Sequence, residues 1–344
     1  MQEKNRNKEA VKYIGNFPPP YGGVTKKNEL LYEVLKSYMT VKCPEKIFLP
    51  VIPNNLNAVL SALFSRKRLI VGVSAAKGSS KILTFLLYMF NRRIMKKSVY
   101  FMMGGREADR IIGDSKERRW YGSYKRIYVE TVSMRDKMRL AGMKNIELYP
   151  NCRKRPEKIR AAACSHEKLK CIFFSGISKM KGVDIILEAA ENIENAEFSF
   201  YGHIEQSYKT EFMQRLKKLK NVSYNGVFAG NSSRLYRLLS SYDVLLFPTK
   251  WTTEGVPGVL VEAKFAGIVP IVSNICYNSE IITNEADGIV LEENNSFCLE
   301  NAINVLNNNR NYLKKLKENS LKSAEFYYIE HYLGQILRDL NAEN

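Results

Sequence analysis

Histidine is close to absent from this chain, which holds three in 344 residues: His166, His203 and His331. The six cysteines (Cys43, Cys152, Cys164, Cys171, Cys276 and Cys298) are scattered, with no C-x-x-C pair. Cysteine and histidine are not spaced to complete a metal cage, and the thiols read as free, buried groups in a reducing compartment. Long apolar runs are missing too. The longest, Ile82 to Phe90, is interrupted by Thr84 and falls far short of the roughly 20 residues that a membrane-spanning helix needs. The opening segment MQEKNRNKEA is polar and leads directly into an apolar strand. It lacks the apolar core of a secretory signal, so we expect neither a span nor a signal. No internal repeat, heptad run or low-complexity tract competes with a globular reading.

Acidic residues are scarce in one half only. Residues 1–152 hold 12 Asp and Glu against 29 Lys and Arg, a net +17, whereas residues 153–344 hold 23 against 24, a net +1. So one-sided a field implies an anionic partner for the first half: membrane phospholipid, a lipid-linked diphosphate or nucleic acid. The basic clusters are Arg66, Lys67 and Arg68; Arg92, Arg93, Lys96 and Lys97; and Arg118 and Arg119, with Tyr88, Phe90, Trp120, Tyr121 and Tyr124 close by. Such pairing suits a membrane interface, and it suits base stacking as well. The basic half carries no nucleic-acid recognition motif, so no nucleic-acid partner is expected.

What is present is a double alternation of strands and helices. The length suits two domains, and 45% apolar content is ample for their cores. Strands are expected at Val11 to Gly15, Leu69 to Ser74, Val99 to Met103, Ile127 to Glu130 and Ile146 to Tyr149. Helices fall at Val24 to Tyr38, Ile82 to Phe90 (read as buried) and Ser133 to Gly142. The polar, basic stretch PNCRKRPEKIR is the linker candidate. Beyond it the alternation restarts with strands Cys171 to Ser175, Glu197 to Tyr201, Val222 to Asn225, Val244 to Phe247 and Val269 to Val272, separated by helices. Alternation of this kind predicts α/β domains with doubly wound parallel sheets.

The stretch from Leu245 to Asn274, LLFPTKWTTEGVPGVLVEAKFAGIVPIVSN, organises the second half. A buried strand ends at Phe247, a loop carries Glu254, a helix opens at Pro257 and Gly258 and closes at Gly267, and a second strand follows. Open parallel sheets bind ligands at such a loop, and a helix N-terminus there attracts phosphate. Glu262, about 7.5 Å along a helix that starts at Pro257, can accept hydrogen bonds from ribose hydroxyls. Glu254 would lie beyond the phosphates. A solvated helix face is the plain alternative for two glutamates at this spacing.

The segment EGVPGVLVEA, with the preceding Y-x-D-V-L-L-F-P-T and the following A-x-x-x-G-x-x-P-I-V-S, resembles the E-x7-E signature of retaining glycosyltransferases of family 4. FFSGISKMKGVDIILEAA resembles that family's G-R-x(4 or 5)-K-G element, with Lys181 at the lysine and Ile177 where the arginine is expected, Lys179 standing close enough to substitute. The resemblance implies the GT-B fold: two Rossmann-like doubly wound domains, residues 1–155 for the acceptor and 156–326 for the nucleotide sugar, facing an interdomain cleft, with residues 327–344 a helix crossing back to the first domain. It implies transfer of a sugar from a UDP- or GDP-sugar to a lipid-linked saccharide, with retention, in capsular, exopolysaccharide or lipopolysaccharide biosynthesis. The enzyme would be cytoplasmic and peripheral on the anionic inner face of the cell membrane.

By the same resemblance Glu254 contacts the transferred sugar and Lys181 neutralises the leaving diphosphate, while Gly255, Pro257, Gly258, Val259 and Glu262 hold the nucleotide. Gly22 and Gly23, in a P-x-G-G-like loop, would face the diphosphate across the cleft. The family's usual histidine in the first domain is missing, leaving its place to groups around Gly104 and Arg106, although Arg106 also reads as a solvated helix-start residue. The MMGGR pattern there resembles a subgroup of capsule and exopolysaccharide transferases. No D-x-D occurs, so neither a metal nor any other cofactor is expected. Ile177 and the missing histidine motivate the other reading, a non-catalytic nucleotide-sugar-binding or assembly subunit.

Overall fold

The computed structural model of the protein describes residues 10–19, 22–46, 55–156, 167–253 and 255–341. The chain forms two compact units, residues 1–154 with 328–344, and residues 155–327.

The first unit runs β1 (Val11–Gly15), α1 (Gly23–Leu35), β2 (Val41–Lys46), α2 (Leu56–Leu63), β3 (Leu69–Gly72), α3 (Ser79–Phe90), α4 (Arg92–Met95), β4 (Val99–Phe101), α5 (Glu107–Gly113), α6 (Ser115–Tyr121), β5 (Arg126–Val129), α7 (Val132–Leu140) and β6 (Ile146–Leu148). Its six strands make one parallel sheet in the order β2-β1-β3-β4-β5-β6. Leu69–Gly72 and Val99–Phe101 are buried at every position, as strands covered by helices on both faces must be. One polar side chain pins the sheet where its order reverses. Asn28 of α1 is fully buried. Its amide donates to the carbonyls of Asn16 (2.8 Å) and Gly72 (2.7 Å), and its oxygen accepts from the Tyr13 hydroxyl at 2.9 Å. Residue 72 has to be glycine, because a Cβ there would stand 2.1 Å from Asn28 Oδ1.

The second unit runs β7 (Leu169–Phe174), α8 (Val183–Asn192), β8 (Ala196–Tyr201), α9 (Lys209–Leu216), β9 (Val222–Tyr224), α10 (Ser232–Leu239), β10 (Val244–Phe247), α11 (Gly258–Ala266), β11 (Val269–Ser273), α12 (Asn278–Ile281), β12 (Ile289–Leu291), α13 (Ser296–Asn308) and α14 (Arg310–Ser323). Its parallel sheet has the order β12-β11-β10-β7-β8-β9. Two buried lysines tie helices to this core by ion pairs, Lys264 to Asp287 at 2.6 Å and Lys317 to Asp243 at 3.0 Å. Each unit is thus a doubly wound, Rossmann-like α/β layer structure.

The final helix, α15 (Glu330–Asn341), belongs to the first unit. Leu333, Ile336 and Leu340 enter that unit's core together with Ile329. Asp339 anchors it, accepting from Arg126 Nε at 2.9 Å and from the Tyr128 hydroxyl at 2.7 Å.

Two expectations from the sequence need correction. Helix α1 stops at Leu35, where residues 36–39 close into turns with Ser37 N–H on Val34 O at 3.1 Å and Met39 N–H on Leu35 O at 3.0 Å. Helix α3 is not buried throughout. Leu83, Thr84 and Leu87 face the core, whereas Ile82, Phe85, Met89 and Phe90 are exposed. Strand β2 and helices α2, α4, α5 and α6 are not among the elements expected from the sequence; α5 and α6 are short and carry interleaved charges that hide any periodicity.

Burial alone would raise the Asp339 carboxyl, but its hydrogen bonds from Arg126 and Tyr128 outweigh burial and hold its pKa below the ordinary 3.8. A carboxylate lowered in this way stabilises the fold above its unfolded pKa, and that contribution is lost as pH falls through the folded value. Asp339→Asn is therefore expected to lower stability by about 2 to 4 kcal/mol near neutrality. The gap to wild type in urea unfolding should close below about pH 4. A gap that stays constant from neutral to acidic pH would mean that the charge does not hold α15.

Candidate functional site

In the second sheet the strand order reverses between β7 and β10, and doubly wound sheets bind ligands beyond the carboxyl ends of strands at such a point. The loops that leave those two strands, residues 175–182 and 248–257, meet backbone to backbone. Gly182 has φ 74°, and a Cβ there would stand 1.9 Å from the Pro248 carbonyl oxygen. Lys250 N–H donates to Met180 O at 2.9 Å and the Thr249 hydroxyl donates to the same oxygen at 3.3 Å. From β11 and the β12–α13 turn, Ser273 Oγ donates to Thr249 O at 2.7 Å and Asn294 Nδ2 donates to Thr249 O at 3.1 Å. The β10 loop is thereby held from three sides before it reaches Trp251.

Lys181 lies directly before Gly182. Its Nζ is 5.7 Å from the ring centroids of both Phe247 and Trp251, so the ammonium is placed at the mouth of the β10 loop by cation–π contact. Helix α11 then opens with Pro257 as its N-cap (φ −63°, ψ 120°) and closes at Gly267 in the left-handed region, φ 64°. Proline therefore precedes the first helical residue instead of being it. Glu262 sits one turn into α11, about 6 Å along the axis from Gly258. It is half-buried between the fully buried Val261 and Ala263. Gly255, Gly258 and Val259 are half-buried, and Val256 and Pro257 are buried. Glu254 lies outside the described residues.

Two further positions of the lysine-bearing loop point elsewhere. Ile177 is fully buried in the second unit's core, and its backbone is tied to the β8 loop, with its N–H on His203 O at 2.8 Å and Glu205 N–H on its carbonyl at 3.0 Å. Lys179 pairs with Glu211 of α9 at 2.7 Å and lies over the Tyr208 ring at 5.6 Å. A third cation of these loops, not singled out from the sequence, is also ion-paired. Lys250 of the β10 loop binds Asp184 of α8 at 2.7 Å. Its signal was a lysine one residue past the conspicuous F-P-T turn.

Gly22, Gly23, Gly104 and Arg106 belong to the first unit, at the carboxyl edge of its own sheet. Gly22 is the extended N-cap of α1, its N–H on Thr25 Oγ1 at 2.9 Å. Asn16 Oδ1 accepts from Ser74 N–H at 2.7 Å, and a Cβ on Gly104 would touch Ala75 Cβ at 3.7 Å. The loops after β1, β3 and β4 are thus one cluster. Arg106 is exposed at the N-cap of α5. The residue after it, Glu107, is fully buried, with Oε1 accepting from the Tyr100 hydroxyl at 2.9 Å, the Tyr121 hydroxyl at 3.1 Å and Arg110 Nη2 at 3.1 Å. Burial raises its carboxyl pKa, opposed by hydrogen bonds from Ser80, Tyr100 and Tyr121 and by the Arg110 charge. Its clue was a glutamate set directly behind the only Gly-Gly-Arg.

Residues 154–323 match the family model described as Glycosyl transferases group 1. That stretch is a group 1 glycosyl transferase domain. The group 1 domain therefore contains Lys181, the β10 loop and α11 in full. An Escherichia coli protein, UDP-Gal:alpha-D-GlcNAc-diphosphoundecaprenol alpha-1,3-galactosyltransferase, is 38% identical over 83 residues, 24% of this chain and 21% of that protein. The match thus spans about a fifth of the length of that curated relative. Among solved structures, Anabaena HepE in complex with UDP has a TM-score of 0.70 at 14% identity, covering 96% of this chain and 99% of its own. Sucrose-phosphate synthase from Thermosynechococcus elongatus has a TM-score of 0.72 at 12% identity, covering 96% and 99%. WaaG, a glycosyltransferase involved in lipopolysaccharide biosynthesis, has a TM-score of 0.64 at 14% identity, covering 95% and 99%. At these identities the likeness shows the fold, which is GT-B.

Within the group 1 domain, Gly182→Ala is expected to cost roughly 2 to 4 kcal/mol, since a side chain there is both left-handed and driven into the Pro248 carbonyl. Gly176→Ala, where a Cβ meets nothing within 4 Å, should leave the thermal transition where it is. Equal melting of the two variants would show that the loops do not depend on this approach.

Proposed function

We propose that the chain is a retaining glycosyltransferase of family 4 that moves a sugar from a UDP-sugar to a lipid-linked, diphosphate-bearing saccharide acceptor in cell-surface polysaccharide synthesis. What supports this reading is that Lys181, the N-terminus of α11 and the half-buried Glu262 stand on the segments that follow the two switch-point strands of a group 1 domain. Cleavage of the bond between the sugar and the diphosphate leaves its electron pair, and a new negative charge, on the departing phosphate oxygen. A fixed ammonium and the N–H groups of a helix N-terminus meet that charge without reorganising, and each such preorganised donor is worth about 3 kcal/mol where measured in other enzymes. Glu262 accepts from the ribose hydroxyls, and Glu254 contacts the transferred sugar. No enzymic nucleophile and no metal enter this scheme. UDP as the nucleotide is supported by the HepE complexes with UDP and UDP-glucose, and the acceptor class by the activity of the E. coli relative.

The direct test is release of UDP from UDP-galactose and other UDP-sugars in the presence of GlcNAc-diphosphoundecaprenol, with the product's anomeric configuration read by NMR. Donor binding without release would instead favour a nucleotide-sugar-binding subunit. Inverted product would end the retaining assignment.

Glu262→Ala is expected to weaken UDP-sugar binding by roughly 1.5 to 3 kcal/mol, the usual worth of hydrogen bonds to a charged group, as measured by calorimetry. An unchanged Kd would mean that the carboxylate does not hold the ribose. Lys181→Ala should lower kcat by about a hundredfold or more with a smaller change in donor affinity, because the charge it meets grows in the transition state. Lys179→Ala, whose partner is Glu211, should retain turnover. The reverse ranking of the two lysines would remove Lys181 from the site.

A further inference from the structure

From Lys46 to Arg106 the chain contains no Asp or Glu and eleven Lys and Arg. This acid-free stretch holds α2 and α3, the helices with the most exposed apolar surface. On α2, Val59 and Ala62 face the core while Leu56, Leu60 and the C-cap residue Phe64 stand out; on α3, Leu83 and Leu87 face in and Ile82, Phe85, Met89 and Phe90 stand out. Phe64 is 80% exposed, Phe90 71% and Met89 59%. The ends of the two helices are joined by Asn91, whose side-chain amide donates to Leu63 O at 2.7 Å and Ser65 O at 2.9 Å, the carbonyls on either side of Phe64. Phe64 and Phe90 therefore protrude from one tip. Arg66, Lys67, Arg92, Arg93, Lys96 and Lys97, all exposed, follow these helices directly.

Of the basic clusters visible in the sequence, two members are turned inward. Arg68 donates to Leu340 O and Arg118 to Ile112 O. The exposed cations of the first two clusters stand around the aromatic tip, and in the third Arg119 of α6 is exposed as well. Phe297 on α13, 67% exposed, lacks this setting, with Glu292, Glu293 and Glu300 as its charged sequence neighbours. Monomer surfaces seldom carry contiguous large apolar groups without a partner. Phenylalanine and leucine beside lysine and arginine are the composition that lies in a lipid interface, apolar groups at the acyl boundary and cations among anionic headgroups.

We propose that the tip formed by the ends of α2 and α3 docks the protein on an anionic phospholipid bilayer, with Phe64, Met89 and Phe90 entering the interface and Arg66, Arg92, Arg93, Lys96 and Lys97 meeting the lipid phosphates. This rests on the surface of the first unit and not on the transferase reading, and its test is read without turnover. The full chain is sedimented with vesicles of pure phosphatidylcholine and of phosphatidylcholine with phosphatidylglycerol, at low and high salt. Binding should require phosphatidylglycerol and fall with salt. Reversing three cations (Arg66→Glu, Arg92→Glu, Arg93→Glu) should lower the partition coefficient about a hundredfold, at about fivefold for each cation near the surface. Phe64→Ser with Phe90→Ser should lower it about tenfold or more, and Phe297→Ser should not change it. All variants alter exposed side chains, and unchanged thermal melts establish that they fold. Insertion is read separately by Phe90→Trp, whose fluorescence should add quenching by brominated phosphatidylglycerol beyond that of Trp120 and Trp251. Equal binding to neutral and anionic vesicles, no loss in either multiple variant, no added quenching, or association with duplex DNA in place of vesicles would each overturn the proposal.

Discussion

The geometry of the candidate site depends on one close approach, that of the loop after β7 to the loop after β10. Adjacent parallel strands whose following connections turn to opposite sides open a gap between their loops. Here the gap is closed to van der Waals contact because residue 182 carries no Cβ and adopts φ 74°. With any other residue the Pro248 carbonyl would have to move, and with it the strand end that orients Phe247 and Trp251. The lysine ahead of the glycine is thus aimed by backbone sterics, and its ring contacts refine the placement. The same glycine begins α8, whose Asp184 takes up Lys250, so one residue joins the loop, its charge and the following helix.

The first unit solves the corresponding problem with a side chain. Asn28 fills the reversal point between β1 and β3, satisfying two carbonyls and one hydroxyl where water is excluded. A buried amide of this kind is costly unless every partner is in place. The partners here come from β1, the loop after it and β3, so the network demands one register of the sheet. Helix α15 shares a core with residues of β1, β3, β4 and β5, and its Asp339 brings a charge to Arg126 and Tyr128 of β5.

Surface chemistry divides the units in a way that topology does not. Both are doubly wound parallel layers, yet the acid-free stretch and its aromatic tip lie wholly in the first, and the group 1 match lies almost wholly in the second. A single fold thus carries a strongly basic surface in one unit and a nearly neutral one in the other, and sequence outside the cores makes the difference.

Much of the architecture was legible from periodicity, since strands such as Leu69–Gly72 and Val244–Phe247 are uninterrupted apolar runs, and Gly267 announced the end of α11 by residue type alone. Charge asymmetry and the E-x7-E pattern also needed no coordinates. Orientation did need them. Ile177, at the position where the resemblance called for an arginine, is a core residue because its backbone pairs with the β8 loop. Lys179 and Lys181 differ by two positions in the chain, but one meets Glu211 and Tyr208 and the other Phe247 and Trp251. Ile82 to Phe90 reads as buried because nearly every residue is apolar, and only the packing of α3 decides that Ile82, Phe85, Met89 and Phe90 face outward. Composition and spacing determined by themselves which segments become strands and helices, because burial and backbone propensity act locally. Which face of each segment is covered, and which charge meets which partner, was decided by contacts between residues far apart in the chain, and only the tertiary structure brings those together.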